Sequence, residues 1–136
     1  MTLLIPFAGL DPAPWKNGGG STTEIAIAPQ GAGLDNFDWR ISLATIAASG
    51  PFSVFPGVDR TLALVDGPGV TLEIGEEGRF ALCEEDPLVE FRGEDDVAAT
   101  LTLGPTTDSN VMTRRSRCRH RVGRRELEGA SEFAPR

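Results

Sequence analysis

Residues 60–74 read "RTLALVDGPGVTLEI". Two runs rich in Leu, Val, Ile and Thr flank the cluster Asp66-Gly67-Pro68-Gly69. Such a cluster favours a sharp reversal, so the stretch reads as two short strands joined by a tight turn. The same texture extends in both directions. Sixteen glycines and ten prolines break the 136 residues into short pieces, many with a period of two. In "STTEIAIAP" (21–29), Thr23, Ile25 and Ile27 fall on one face and Glu24, Ala26 and Ala28 on the other, until Pro29 stops the run. "DWRISLATI" (38–46) alternates again, with Trp39, Ile41 and Leu43 opposite Arg40, Ser42 and Ala44. Leu3–Pro6 offers a first strand, "EEG" (76–78) turns the chain into "RFALCE", and "PLVEF" and "VAATLTL" flank the acidic loop 93–96. No window shows a stripe with a 3.6-residue period. Short strands spaced about ten residues apart predict an all-β barrel or sandwich.

The totals narrow the function classes. A chain of 136 residues suits one domain, with 40% hydrophobic and 24% charged residues. No apolar run approaches the roughly 20 residues that span a bilayer. The start "MTLLIPFAGLDP" lacks the basic region of a signal peptide, so a cytoplasmic protein without membrane partners is expected. Cys83 and Cys118 are far apart and form no CxxC, which predicts free thiols. The net charge of −7 is unevenly spread: residues 1–113 hold 17 acids and five bases, residues 114–136 eight arginines and three glutamates. The acidic body would repel nucleic acid. The tail could neutralise phosphates but interleaves no aromatics, and reads as a disordered or aberrant end.

Three chemistries can be weighed from residue types. In "WKNGGGST" (15–22) the lysine precedes the glycines and a strand follows, the reverse of a Walker loop. One histidine, His120, is too few for a metal or a triad, so no metal, cofactor or catalytic residue is expected. The cations say more. Lys16, Arg40 and Arg60 stand beside Trp15, Trp39 and Asp59 in an otherwise acidic body. A guanidinium inside a barrel needs a carboxylate partner, from the protein or from a ligand. Arg40 with Glu24, and Arg60 with Asp59 or another acid, are the internal options. Phe52 and Phe55 in "GPFSVFPGVDR" (50–60) read as core or rim.

Taken together, "WKNGGGSTTEIAIAP", "FDWRISLATIAASGPFSVFPGVDRTLALVDGPGVTL" and "TDSNVMTRR" resemble the HutD/Ves family of cupin-like proteins, over residues 1 to about 115. The resemblance implies a metal-free bicupin with a ligand pocket in its first barrel. It further implies a link to histidine utilisation through a small carboxylate such as formate or urocanate; the Ves branch is stress-induced. The family's motif positions here are Trp15, Lys16, Asn17, Gly18, Gly19, Gly20, Thr23, Glu24, Trp39, Arg40, Ser42, Phe52, Pro56, Asp59 and Arg60. Family members continue through a second barrel, whereas this chain turns arginine-rich. The expected organisation is a cupin-like domain over 1–113, including the start of an incomplete second barrel, and a tail over 114–136. Apolar surface left uncovered would favour a homodimer.

The resulting expectation is a non-catalytic cupin-fold protein that binds a small organic acid anion. Lys16, Asn17, Thr23, Glu24, Arg40, Ser42, Asp59 and Arg60 would contact the ligand, with Trp15, Gly18, Gly19, Gly20, Trp39 and Phe52 forming the pocket and Ile25, Ile41 and Leu62 its apolar walls. The alternatives are a metal-free isomerase or lyase using Lys16 or Glu24 as acid–base, and an interaction module acting through the basic tail.

Overall fold

Alternation between β-branched and small residues, cut by glycine and proline, yields ten strands among the described residues. The computed structural model describes residues 12–15 and 18–122. The strands are β1 (Ala13–Pro14), β2 (Gly20–Ala28), β3 (Trp39–Ile46), β4 (Gly50–Pro51), β5 (Val58–Asp66), β6 (Val70–Ile74), β7 (Gly78–Leu82), β8 (Leu88–Arg92), β9 (Val97–Leu101) and β10 (Thr106–Arg114). They form two antiparallel sheets, a six-stranded one ordered β1-β2-β3-β10-β5-β8 and a four-stranded one ordered β4-β9-β6-β7. The all-β expectation holds. Leu3–Pro6, Lys16, Asn17 and residues 123–136 lie outside the described residues.

The turn at Asp66–Gly69 is present, but the strands it joins do not pair with each other. β5 pairs with β10 and β8 in the large sheet, while β6 pairs with β7 and β9 in the small one. The turn is a corner between sheets. Gly67 and Gly69 take φ of 107° and 114°, a left-handed region that suits glycine. Thr106 clasps the corner, its hydroxyl donating to the Gly69 carbonyl at 3.0 Å and accepting from the Gly69 N–H at 3.2 Å.

Between the sheets lies the main core: Ile46, Leu62 and Phe91 of the large sheet against Val70, Leu72, Ile74, Leu82, Val97 and Ala99 of the small one. A second cluster, Phe37, Val58 and Met112, closes one end, with Ile27 packed on it. A bulge in β2 puts Ile27 there. The register shifts between Glu24 and Ala26, so Glu24 faces Ser42 and Ile27 faces Arg40. Glu24 and Ile27 thus share a side that strict alternation would have denied them. Thr23, paired with Leu43, lies on the opposite face.

Strands near 97–112, where the start of a second barrel was expected, join these two sheets: β9 is internal to the small sheet and β10 lies between β3 and β5. β10 is buried along nearly its whole length, which requires neighbours on both edges. Residues 114–122, assigned to the tail, lie against the large sheet. Arg115 pairs with Asp59 at 2.9 Å and Glu94 at 2.8 Å. Arg114 donates to the Phe37 carbonyl at 2.8 Å. His120 bridges Thr61 and Thr113 through its two ring nitrogens at 2.7 and 2.8 Å. Arg115, and at longer range Arg117 with Asp38 at 3.9 Å, are therefore counter-ions of the acidic body.

Candidate functional site

A cavity of about 540 Å³ opens on the inward face of the large sheet, closed on its other side by residues 51–55. Inward-facing positions of three neighbouring strands supply its polar wall: Arg40 from β3, Arg60 from β5, and Asp108 and Asn110 from β10. Register sets them on one inward face, with Met112 opposite both Arg40 and Arg60, Asn110 opposite Ser42 and Leu62, and Asp108 opposite Ala44 and Leu64. Leu62, Met112, Ala44 and Ile46 make the apolar wall, and Trp15, Phe52 and Phe55 line the side. Ala13, Pro14 and Leu34 line it from exposed positions at the mouth.

Arg60 is the centre of this arrangement. It is only 5% exposed. Its guanidinium carbon stands 5.6, 5.2 and 5.0 Å from the ring centroids of Phe52, Phe55 and Phe91, a geometry that stabilises a desolvated cation. Nη1 donates to the Ser53 carbonyl at 3.2 Å, and Nε has no partner. Among the described residues Arg60 forms no ion pair. Burial lowers its pKa to about 10, opposed by the charge of Asp108 and reinforced by Arg40, so it stays charged at neutral pH.

Asp108 is 1% exposed, and both its carboxyl oxygens are buried without a hydrogen-bond partner. Desolvation raises its pKa to about 8, against the pull of Arg60. The carboxyl is therefore mostly protonated at neutral pH. Asn110, two residues on, also leaves Oδ1 unpaired. Arg40 differs from Arg60: its Nε donates to Glu24 Oε1 at 3.1 Å, an internal ion pair.

The remaining expected site residues divide clearly. Trp15 and Phe52 line the cavity, their rings edge to face at 6.4 Å and 79°. Trp15 Nε1 donates to Thr22 Oγ1 at 2.6 Å, a residue also on the wall. Gly18–Gly20 form the turn beneath Trp15: the Trp15 N–H donates to the Gly20 carbonyl at 2.8 Å, and Gly18 has a φ of 75°. A Cβ at Gly20 would strike the Thr45 carbonyl and lie 3.0 Å from the Trp15 ring, so a bare backbone seats this indole. Ser42 is buried on the inward face with its hydroxyl unpaired, outside the cavity wall. Thr23, Trp39 and Asp59 lie on the other face of the sheet, and Ile25 and Ile41 are absent from the cavity wall. Asp59 cannot meet Arg60 because neighbours on a strand point opposite ways. Lys16 and Asn17 lie outside the described residues.

The sequence reading missed Asp108, Asn110, Met112 and Thr22. The first three occur in "TDSNVMTRR", where inward Asp108, Asn110 and Met112 alternate with outward Ser109, Val111 and Thr113. Both sets mix polar with apolar residues, so the buried cavity face carries no distinctive signature. Among the described residues no three His, Cys, Asp or Glu side chains converge. A wall bearing two guanidiniums does not fit a metal cation.

The HutD family model matches residues 8–135. The chain belongs to the HutD family. A similar curated relative is protein Ves of Cronobacter sakazakii, 45% identical over 109 residues, 79% of this chain and 58% of the relative. HutD from Pseudomonas fluorescens SBW25, solved in a formate condition, superposes with a TM-score of 0.81 at 35% identity, covering 90% of this chain and 66% of that one. KdgF from Halomonas, 13% identical with a TM-score of 0.63, covers 83% of this chain and 95% of its own, and shows the cupin-like fold alone. This chain spans little more than half the length of the curated relatives it matches. No helix among the described residues is long and apolar enough to cross a membrane.

Proposed function

We propose that this HutD-family chain binds a small organic acid anion in the cavity and, without transforming it, modulates histidine utilisation or a stress response. One observation carries the reading: Arg60 is a buried, charged guanidinium on the wall of an open cavity with no acid paired to it among the described residues. An uncompensated buried charge is costly, and an arriving carboxylate supplies both the counter-ion and an acceptor for Nε. P. fluorescens HutD was solved in a formate condition, which makes formate the first acid to test. The cavity, at about 540 Å³, also has room for a larger acid such as urocanate. Thermal unfolding with formate, urocanate and neutral amide controls tests the reading. The acids should raise Tm by mass action, and Arg60→Ala should abolish the rise. Absence of a rise with every acid would sink the proposal.

A second reading has its own observation. A carboxyl with a strongly raised pKa and open space beside it is a candidate general acid, which favours a metal-free isomerase or lyase centred on Asp108. Proton NMR of candidate acids incubated with the protein decides between them. Conversion that disappears in Asp108→Asn supports catalysis, and unchanged spectra support binding alone.

A further inference from the structure

Charge counting on the cavity wall leaves an imbalance that Asp108 controls. The charged groups facing this space are Asp108 on β10, Arg60 on β5 and Arg40 on β3, with Glu24 on β2 already paired to Arg40. The small sheet turns only apolar residues such as Leu72 and Ala99 toward the core. Setting aside the neutral Arg40–Glu24 pair, Arg60 contributes one positive charge and Asp108 either zero or one negative charge. If Asp108 were ionised, a bound monoanion would leave a net negative charge buried. If Asp108 is protonated, cation and anion cancel.

Hydrogen bonding leads to the same place. Two carboxyl oxygens that are fully buried and without any donor cannot stabilise a negative charge. A carboxylic acid in that position has a proton and no acceptor for it among the described residues. We propose that Asp108 receives the anion in its protonated form, donating its carboxyl proton in a hydrogen bond to the ligand while Arg60 supplies the opposing charge. The site then holds an anion and a proton together. Asn110, its Oδ1 unpaired two positions along the same face, meets an N–H or O–H on the ligand. This inference rests on the anion-binding reading above and adds to it a proton linkage and a specificity-determining residue.

The raised pKa of about 8 places the linkage within easy reach. Below that pH the proton is already present and affinity is flat. Above it, each bound anion must bring a proton, and affinity falls with the protonated fraction. The probes are formate and urocanate, titrated separately by calorimetry into the full chain at pH 7 and pH 9. Wild type should bind about tenfold more weakly at pH 9, with close to one proton taken up per anion when two buffers of different ionisation enthalpy are compared. Asp108→Asn keeps a hydrogen-bond donor and cannot ionise, so its affinity should change less than twofold between the two pH values. Should the variant fail to fold, proton uptake by wild type alone decides. Equal affinity at both pH values without proton uptake overturns the role of Asp108 and leaves the anion site standing. No binding of either acid at any pH overturns both.

Discussion

Replacing Arg60 by methionine separates a structural cation from a ligand-binding one. Methionine fills a similar volume, keeps contact with Phe52, Phe55 and Phe91 and carries no charge to desolvate. Burial lowers the Arg60 pKa well below the ordinary guanidinium value, to about 10. The charged form is thus disfavoured in the folded chain by roughly 3 kcal/mol at neutral pH. The sign follows from linkage: a depressed folded pKa adds stability only above the unfolded value, so below pH 10 the folded state carries the full penalty. Against this stand the lost hydrogen bond to the Ser53 carbonyl, about 1–2 kcal/mol, and the lost cation–ring attraction, about 1–2 kcal/mol. The terms nearly cancel. Arg60→Met should stay within about 1.5 kcal/mol of wild type in urea unfolding, or roughly 5 °C in Tm, and lose the anion-induced rise. Destabilisation beyond about 3 kcal/mol would mean that Arg60 is a structural element with a partner, and a retained anion response would refute its role in the site.

Three further outcomes are expected. Asp108→Asn should be more stable than wild type at pH 8, by on the order of 5 kcal/mol at most, with the gap closing toward pH 4; urea midpoints across pH check it. The raised folded pKa makes the Asp108 contribution to stability greatest below the unfolded value of 3.8, and that contribution declines as pH climbs toward about 8. Gly20→Ala should cost about 1–3 kcal/mol and change Trp15 fluorescence, because the added methyl meets the Thr45 carbonyl and the indole. His120→Ala leaves the Thr61 and Thr113 hydroxyls without their bridge, and should raise hydrogen exchange over residues 115–122 at a cost of about 1–3 kcal/mol. Burial lowers the His120 pKa, so acidification below its ordinary 6.5 should loosen the same segment in wild type.

Strand content was legible because alternation in "STTEIAIAP" and "DWRISLATI" reports directly on a pleated backbone. What alternation could not show is where its phase breaks. The bulge at Glu24–Ala26 carries Glu24 and Ile27 to one side, and no residue type announces it. The stretch from Arg60 to Ile74 showed its turn but not its partners, since a glycine-rich corner between sheets uses the same residues as a hairpin. Arg40 was readable as an interior cation paired with Glu24 or a ligand, and the pair is present. Asp59 could have been set aside as a partner for Arg60, because adjacent strand residues face opposite ways. Asp108 was beyond reach: an aspartate in a mixed strand carries no mark of being buried.

The position of β10 sets the order in which the barrel can assemble. Residues 106–114 separate β3 from β5, so those strands have no direct pairing to form while the chain is still emerging. On a ribosome, the facing edges of β3 and β5 remain open templates until β10 arrives and inserts between them. That insertion also delivers Asp108 and Asn110, so the sheet and the proposed anion site are completed by the same event.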